Sequence, residues 1–360
     1  MVKTEWFAKR NIAVGVTMVL FAGVAHAQSN VTLYGLLDSG LLYTSKTLNS
    51  ATGQNAGKQF SLIDSGSAPS QFGLQGTEDL GGGLKAEFKL ESGISVANGG
   101  FGISNGNLFG RQAYVGLKSD LGEVKAGLQL SPFFLAAYRL DPRGMSTFGS
   151  SAIIYVDSVA ATGVFNSNAV SYTSPVIYGF QGSVMYALGG EAGNFAAGRQ
   201  YSADLHYDNG TLLIDAAFYN GNSGGTGQTP IPTTVDFFGR MLGASYKFGS
   251  LTVKASFASY KVSGSFSSNV YGGGADYYIT PTIDVNGGVW YTTDRNDSSN
   301  HSVLGAVGGQ YLLSRQTSVY AQVGIVNNHG KMDTGLSIDG ALYGTTGTTV
   351  GTVVGIRHLF

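Results

Sequence analysis

Apolar and polar residues alternate with a period of two along most of the chain from Val31 to Phe360. In 84–91, Leu84, Ala86, Phe88 and Leu90 alternate with Lys85, Glu87, Lys89 and Glu91, so one face is wholly apolar and the other wholly charged. Successive side chains of a strand point to opposite faces, which makes this the pattern of a two-faced strand. It recurs at 251–257, where Leu251, Val253, Ala255 and Phe257 oppose Thr252, Lys254 and Ser256. It recurs again at 318–325, with Val319, Ala321, Val323 and Ile325 against Ser318, Tyr320, Gln322 and Gly324. Clusters of Gly, Asn, Asp, Ser and Pro punctuate the segments. The alternation predicts sixteen strands, near 31–42, 69–77, 84–93, 108–118, 122–129, 168–174, 180–188, 199–207, 211–220, 237–248, 250–260, 270–279, 282–293, 303–313, 317–326 and 350–360. Short connections (78–83, 119–121, 208–210, 249 and 313–316) contrast with long ones (43–57, 94–107, 130–167, 221–236 and 327–349).

An apolar strand face must be buried against a second sheet or turned to lipid. Composition favours lipid, because charged residues are only 12% of the chain, about half the usual share of a soluble protein. Tyr and Phe number 20 each, and many sit at segment ends (Tyr43, Tyr186, Tyr219, Phe248, Tyr260, Tyr291) as interfacial girdles do. The one long apolar run, Ile12 to Val24, follows Lys3, Lys9 and Arg10 and precedes Ala25-His26-Ala27. That is the layout of an export signal, residues 1–27, cleaved before Gln28. Only helices and closed barrels satisfy every backbone hydrogen bond in hydrocarbon. The expected fold is therefore all-β: a transmembrane antiparallel β-barrel of about sixteen strands formed by 28–360, with an even strand count and unequal rims.

The connection 130–167 is longer than an idle loop. It carries Phe133, Phe134, Leu135, Tyr138, Phe148, Ile153, Ile154 and Tyr155, so it must pack on something. Inside a barrel the available surface is the lumen wall, where the loop would narrow the passage.

Formal net charge is −1, and there are no cysteines. Nucleic acid is not an expected partner, and disulfides and thiolate metal sites are excluded. A nucleophile-and-base site has few candidates: beyond the export signal the histidines are His206, His301, His329 and His358. His206, with Asp204 and Asp208 on its own parity, is the best candidate for a base, but a solvated lumen histidine explains the same residues. Asp294, Asn296 and Asp297 make an oxygen-rich loop without EF-hand spacing. Gly81-Gly82-Gly83 reads as a turn, since no helix follows to make a phosphate site. No enzyme activity, cofactor or metal is expected.

Several stretches together resemble the trimeric, sixteen-stranded general porins of Gram-negative outer membranes, beta-proteobacterial type. They are Val31-Thr32-Leu33-Tyr34-Gly35-Leu36-Leu37-Asp38, Gly76-Thr77-Glu78-Asp79-Leu80-Gly81-Gly82-Gly83-Leu84-Lys85-Ala86 through Leu90-Glu91-Ser92-Gly93, and Phe109-Gly110-Arg111-Gln112-Ala113-Tyr114-Val115-Gly116-Leu117. Tyr172-Thr173-Ser174-Pro175 and the ending Val354-Gly355-Ile356-Arg357-His358-Leu359-Phe360 complete the set. The resemblance implies a water-filled channel for passive diffusion of small polar solutes and ions, a homotrimer in outer-membrane lipid, and a terminal Phe360 read by the barrel assembly machinery. In such porins the third loop carries acids that face wall arginines. Here the matching wall positions hold Gln71, Gln75, Leu128 and Phe165, and Leu128 shares parity with Val124 and Ala126 unless a bulge intervenes. The loop supplies Arg139, Asp141, Arg143 and Asp157, while Lys85, Glu87, Lys89, Glu91 and Arg111 complete the lumen candidates. Weak ion selectivity, governed by the loop, is the expectation. A substrate-selective channel is the alternative implied by the altered wall. A barrel serving mainly as adhesin or anchor through 221–236 and 327–349 is a third reading.

Overall fold

Strands pair antiparallel with their neighbours round the circuit, the second and third both with the first, and the last pairs with the first. The computed structural model describes residues 30–49, 51–159, 164–222, 233–338, 342 and 346–360, with side chains of 157–159 left aside. The expected export signal and the side chain of Asp157 lie outside the described residues. The strands are β1 (Asn30–Thr44), β2 (Gln59–Asp64), β3 (Gln71–Gly81), β4 (Leu84–Gly93), β5 (Gln112–Ser119) and β6 (Gly122–Leu130). After two short helices, α1 (Pro132–Leu140) and α2 (Ile153–Val159), come β7 (Phe165–Thr173), β8 (Phe180–Ala187), β9 (Gln200–Asp208) and β10 (Leu212–Asn222). The circuit ends with β11 (Asp236–Phe248), β12 (Leu251–Val262), β13 (Ser267–Thr280), β14 (Ile283–Asp294), β15 (His301–Leu312), β16 (Thr317–His329) and β17 (Gly347–Leu359).

All sixteen expected strands are present, and one further segment, β2, was not anticipated. β2 and β3 share one position in the wall: β2 pairs with the outer half of β1 (Thr44↔Gln59) and β3 with the inner half (Asn30↔Thr77). The cause of the break is Asp38. Its buried carboxylate accepts from the backbone N–H of Gly66, Ser67 and Ala68 at 3.1, 2.9 and 3.0 Å and from the Tyr320 hydroxyl at 2.6 Å. Those amides cannot then serve a strand ladder. Counted by position, the sheet is a closed sixteen-stranded barrel, sealed where Leu36 to Thr44 pair with Leu359 to Gly351.

Closure gives each strand a clear inside. On β10, Ile214, Ala216 and Phe218 are exposed while Asp215, Ala217 and Tyr219 are buried. No helix among the described residues is long and apolar enough to cross a membrane; crossing falls to the strands. The Gly81-Gly82-Gly83 turn has φ of +84°, +62° and +82°, a left-handed run that a side chain would strain.

Candidate functional site

From β6 the chain runs on through residues 131–159 against inward-facing residues of the wall. Ser131 caps α1 by accepting from the Phe134 N–H, and Pro132 occupies the first turn, so the helix starts where the strand stops. Its buried side, Phe133, Ala136, Ala137 and Leu140, lies on inward residues of β9 to β12. A side chain at Gly239 would meet the Phe133 ring, and one at Gly243 would meet Leu140. Tyr155 of α2 stacks between Phe237 and Tyr260, with centroids 5.4 and 5.2 Å away, and Phe133 meets Tyr155 and Tyr260 edge-on. Farther round, Gly149 abuts Trp290, and Phe148 fills the space over Gly324 and Gly351. Thr147 reaches the break between β2 and β3, with its hydroxyl 3.3 Å from the Ser65 carbonyl oxygen. The loop therefore touches inward-facing residues from β9 to β17.

Polar contacts fix it. Arg139 donates from Nε to Asp215 at 2.6 Å and from Nη2 to Asp204 at 2.7 Å, and His206 lies 3.0 Å from the same Asp204 carboxylate. Lys254 of β12 donates to the carbonyl oxygens of Arg139 and Asp141, both at 2.9 Å, the favourable placement for a cation at a helix C-terminus. Arg143 is buried and bonds to Asn286 Oδ1 (2.7 Å), Gln322 Oε1 (2.6 Å), the Ser146 hydroxyl (3.0 Å) and the Phe148 carbonyl (2.9 Å). No carboxylate bridges it among the described residues. Burial draws its guanidinium down to about 10, with Asp141 and Asp284 opposing, so it remains charged at neutral pH. Burial raises the Asp141 carboxyl above the ordinary range, opposed by Ser150, by the N–H groups of Met145 and Arg143 and by the Arg143 charge.

Beside the loop a cavity of about 400 Å³ is bounded by Arg139, Arg143, Lys254 and Arg357, with Asp276 and Asp284 as its acids. Across the lumen β4 and β5 present a second cluster. Glu91, buried, binds Tyr34 (2.8 Å), Arg111 (3.0 Å), Lys89 (3.2 Å) and Gln112 (3.2 Å). Arg111 also lies 5.6 Å from the Phe165 ring centroid, and Lys125 pairs with Glu123 at 2.8 Å.

The model of the Gram-negative porin family matches residues 13–331. The chain belongs to the Gram-negative porins. An outer membrane porin protein of Bordetella pertussis is 29% identical over 98% of this chain and all of that protein. Outer membrane porin protein 32 of Delftia acidovorans is 30% identical over 96% of this chain and 99% of its own. Among solved structures, an anion-selective porin from Comamonas acidovorans aligns with TM-score 0.80 and 28% identity, covering 92% of this chain and all of the other. The porin thus resides in the outer membrane, with its short turns and long loops on opposite sides.

The remaining sequence candidates fall into two groups. Gln71 and Gln75 face inward, opposite Leu36 and Thr32 of β1 and Gly93 and Lys89 of β4. Lys85, Glu87, Lys89 and Glu91 share that inward face, but only Lys89 and Glu91 join the cluster with Arg111. Leu128 pairs with Ala113 on the outward side, as its parity with Val124 and Ala126 implies, and Gln129 turns inward to Ser171 and the Ala169 carbonyl beside a register shift against β7. The wall position belongs to Gln129. The acids on Arg139, and Lys254 and Arg357 beside the loop, were not identified from sequence. Alternation marks Lys254 as inward, but only the closed circuit brings β12 and β17 to the same cavity. Asp294 and Asp297 spend carboxylate oxygens on turn amides of Asn296 and Ser299.

Proposed function

We propose that this porin is a passive diffusion channel whose narrowest part lies between the loop residues 131–159, folded into the lumen, and the wall of β3 to β7, with a modest preference for anions. The observation that carries the reading is the unequal pairing of loop charges. Arg139 is met by two wall acids, whereas Arg143 is held by neutral amides and carbonyls and keeps its charge. Lys254 likewise spends its bonds on carbonyl oxygens. In a constricted lumen such fixed cations attract anions more than they would in open water. The anion selectivity of the Comamonas acidovorans relative supports the sign. The expected weak, loop-governed selectivity thereby becomes a preference set by Arg143 and Lys254 more than by Arg139.

The same reading takes the solutes to be small and hydrophilic, the assembly to be a homotrimer, residues 1–27 to be a cleaved export signal and Phe360 to be the assembly signal. No catalysis is assigned, since Asp204, the orienting carboxylate of His206, is already bound to Arg139. Reversal potentials across a planar bilayer under a salt gradient test the proposal. Anion-favouring potentials with ohmic steps are expected; cation preference or a folded protein without conductance overturns it.

A further inference from the structure

Among the described residues one group brings three metal-ligating side chains together: Asp204 and His206 of β9 and Asp215 of β10, whose ligand atoms all lie within 4.8 Å of one another. The sheet builds it. Asp204 and His206 are two apart and so share the inward face of β9, and Asp215 pairs directly across from His206. Two ligands are fixed by alternation and the third by register, so the spacing within one strand does not announce the set.

The partner of both carboxylates is the Arg139 guanidinium, at 2.6 and 2.7 Å. It does not exhaust them. Asp215 Oδ1 is buried with no hydrogen-bond partner, on a side chain that is 0% exposed, and a buried acceptor left unmade is costly. A ligating imidazole is neutral, so two carboxylates then face one guanidinium, whereas a divalent ion would balance both. One imidazole and two carboxylates suit zinc and its transition-metal neighbours, with a fourth position open to water. Ligands about 2 Å from a tetrahedral zinc stand about 3.3 Å apart, so the three side chains need only a small inward shift. Arg139 has somewhere to go. It also lines the cavity of about 400 Å³ beside the loop, whose acids are Asp276 and Asp284, and Asp276 Oδ1 is buried without a partner.

We propose that Asp204, His206 and Asp215 form a binding site for a divalent transition-metal ion, for which Arg139 competes, so that metal binding releases the last turn of α1 from the wall. The site goes beyond the channel reading and adds a metal-responsive hold on the loop. Mg²⁺ is not the ion, because it demands an octahedron of oxygens and gains nothing from an imidazole.

The test uses the full chain, without a polyhistidine tag, folded in detergent and freed of metal. Co²⁺ alone is the spectroscopic probe and Zn²⁺ the competitor. The parent should develop the visible absorption of a low-coordinate cobalt site, lost on adding about one equivalent of Zn²⁺ and untouched by Mg²⁺. R139A should bind about tenfold or more tightly, since the competing cation no longer holds the site closed, and Zn²⁺ should raise its urea midpoint. H206Q should lose the band, and H206C should regain it with added thiolate-to-cobalt charge transfer. H301N/H329N, which removes a stacked histidine pair elsewhere on the barrel (centroids 4.5 Å apart), should bind like the parent. No band in the parent or in R139A, an unchanged band in H206Q, a band that leaves with His301 and His329, or equal affinity of R139A and parent would each overturn the proposal. Micromolar Zn²⁺ should change the single-channel conductance of the parent and not of H206Q, and no change in the parent would overturn the release of α1. A conducting barrel that binds no cobalt overturns the metal site alone, and a non-conducting parent that binds it overturns the channel alone.

Discussion

The Arg139 Nε lies 2.6 Å from the Asp215 carboxylate, and this bond ties the last turn of α1 to the middle of β10. Asp215 is fully buried and the Arg139 side chain is 27% exposed. Removing one partner of a buried pair strands the other, a loss of about 3–5 kcal/mol when both are enclosed. Partial exposure puts R139A near the lower end, about 3 kcal/mol, with D215N smaller because Asp204 still holds the guanidinium. Urea unfolding in detergent checks the order. R139A unfolding like the parent would show that apolar packing alone holds the loop.

Arg143 carries the second prediction. R143Q should move the reversal potential toward cations by more than K85Q does, because Lys85 is exposed near the short-turn rim whereas Arg143 is buried at the loop. A guanidinium lowered to about 10 is charged below that pH and neutral above it. The difference between parent and R143Q should hold from neutral pH to about 9 and shrink as pH rises through about 10, with added salt reducing it throughout. A difference that does not shrink would show a guanidinium still charged above about pH 10, and no difference at any pH would remove Arg143 from the field.

Gly324 tests the fit of the loop. A Cβ there would sit 2.8 Å from Cβ and Cγ of Phe148, so G324V must push the ring away. Overpacking of this kind costs about 1–3 kcal/mol. Single-channel records should show a noisier open state and a shifted mean conductance. Quiet, parent-like steps would mean that the loop can settle elsewhere at no cost.

At the seam, Gly35 and Phe360 exchange backbone bonds at 3.0 and 3.1 Å, and the Phe360 ring covers Gly35 so closely that a Cβ would meet it at 2.3 Å. F360A and G35V should both reduce the fraction of heat-modifiable, folded barrel recovered from the outer membrane. I356A, one more apolar loss on the outward face, should do so less. Equal recovery from all three would remove any special role for the chain end.

The barrel was largely legible because its signal is local: period-two alternation needs only neighbouring residues, and every expected strand appears. β2 escaped because its break is made by a carboxylate from another strand, Asp38, which no local pattern announces. At Leu128 parity alone sufficed: it faces outward with Val124 and Ala126, and Gln129 faces inward. The inward sense of Lys254 could be read from parity. Its bond to the end of α1, and the Asp204 and Asp215 carboxylates around Arg139, depend on which wall the loop reaches. That is set by apolar residues such as Phe133 and Tyr155 packing on Tyr260, a match between distant segments.

The pairing of Leu36 with Leu359 joins residues separated by nearly the whole chain. Closing so long a loop has an entropic cost that no local contact offsets beforehand, and wide sequence separation slows folding. Until β17 arrives, β1 offers an unpaired edge to any passing strand, the exposure that leads to edge-to-edge aggregation. The seam should therefore form last and govern the lifetime of the open sheet. Substitutions at Gly35 would then act chiefly on the yield and rate of closure, leaving the conductance of barrels that do close nearly unchanged.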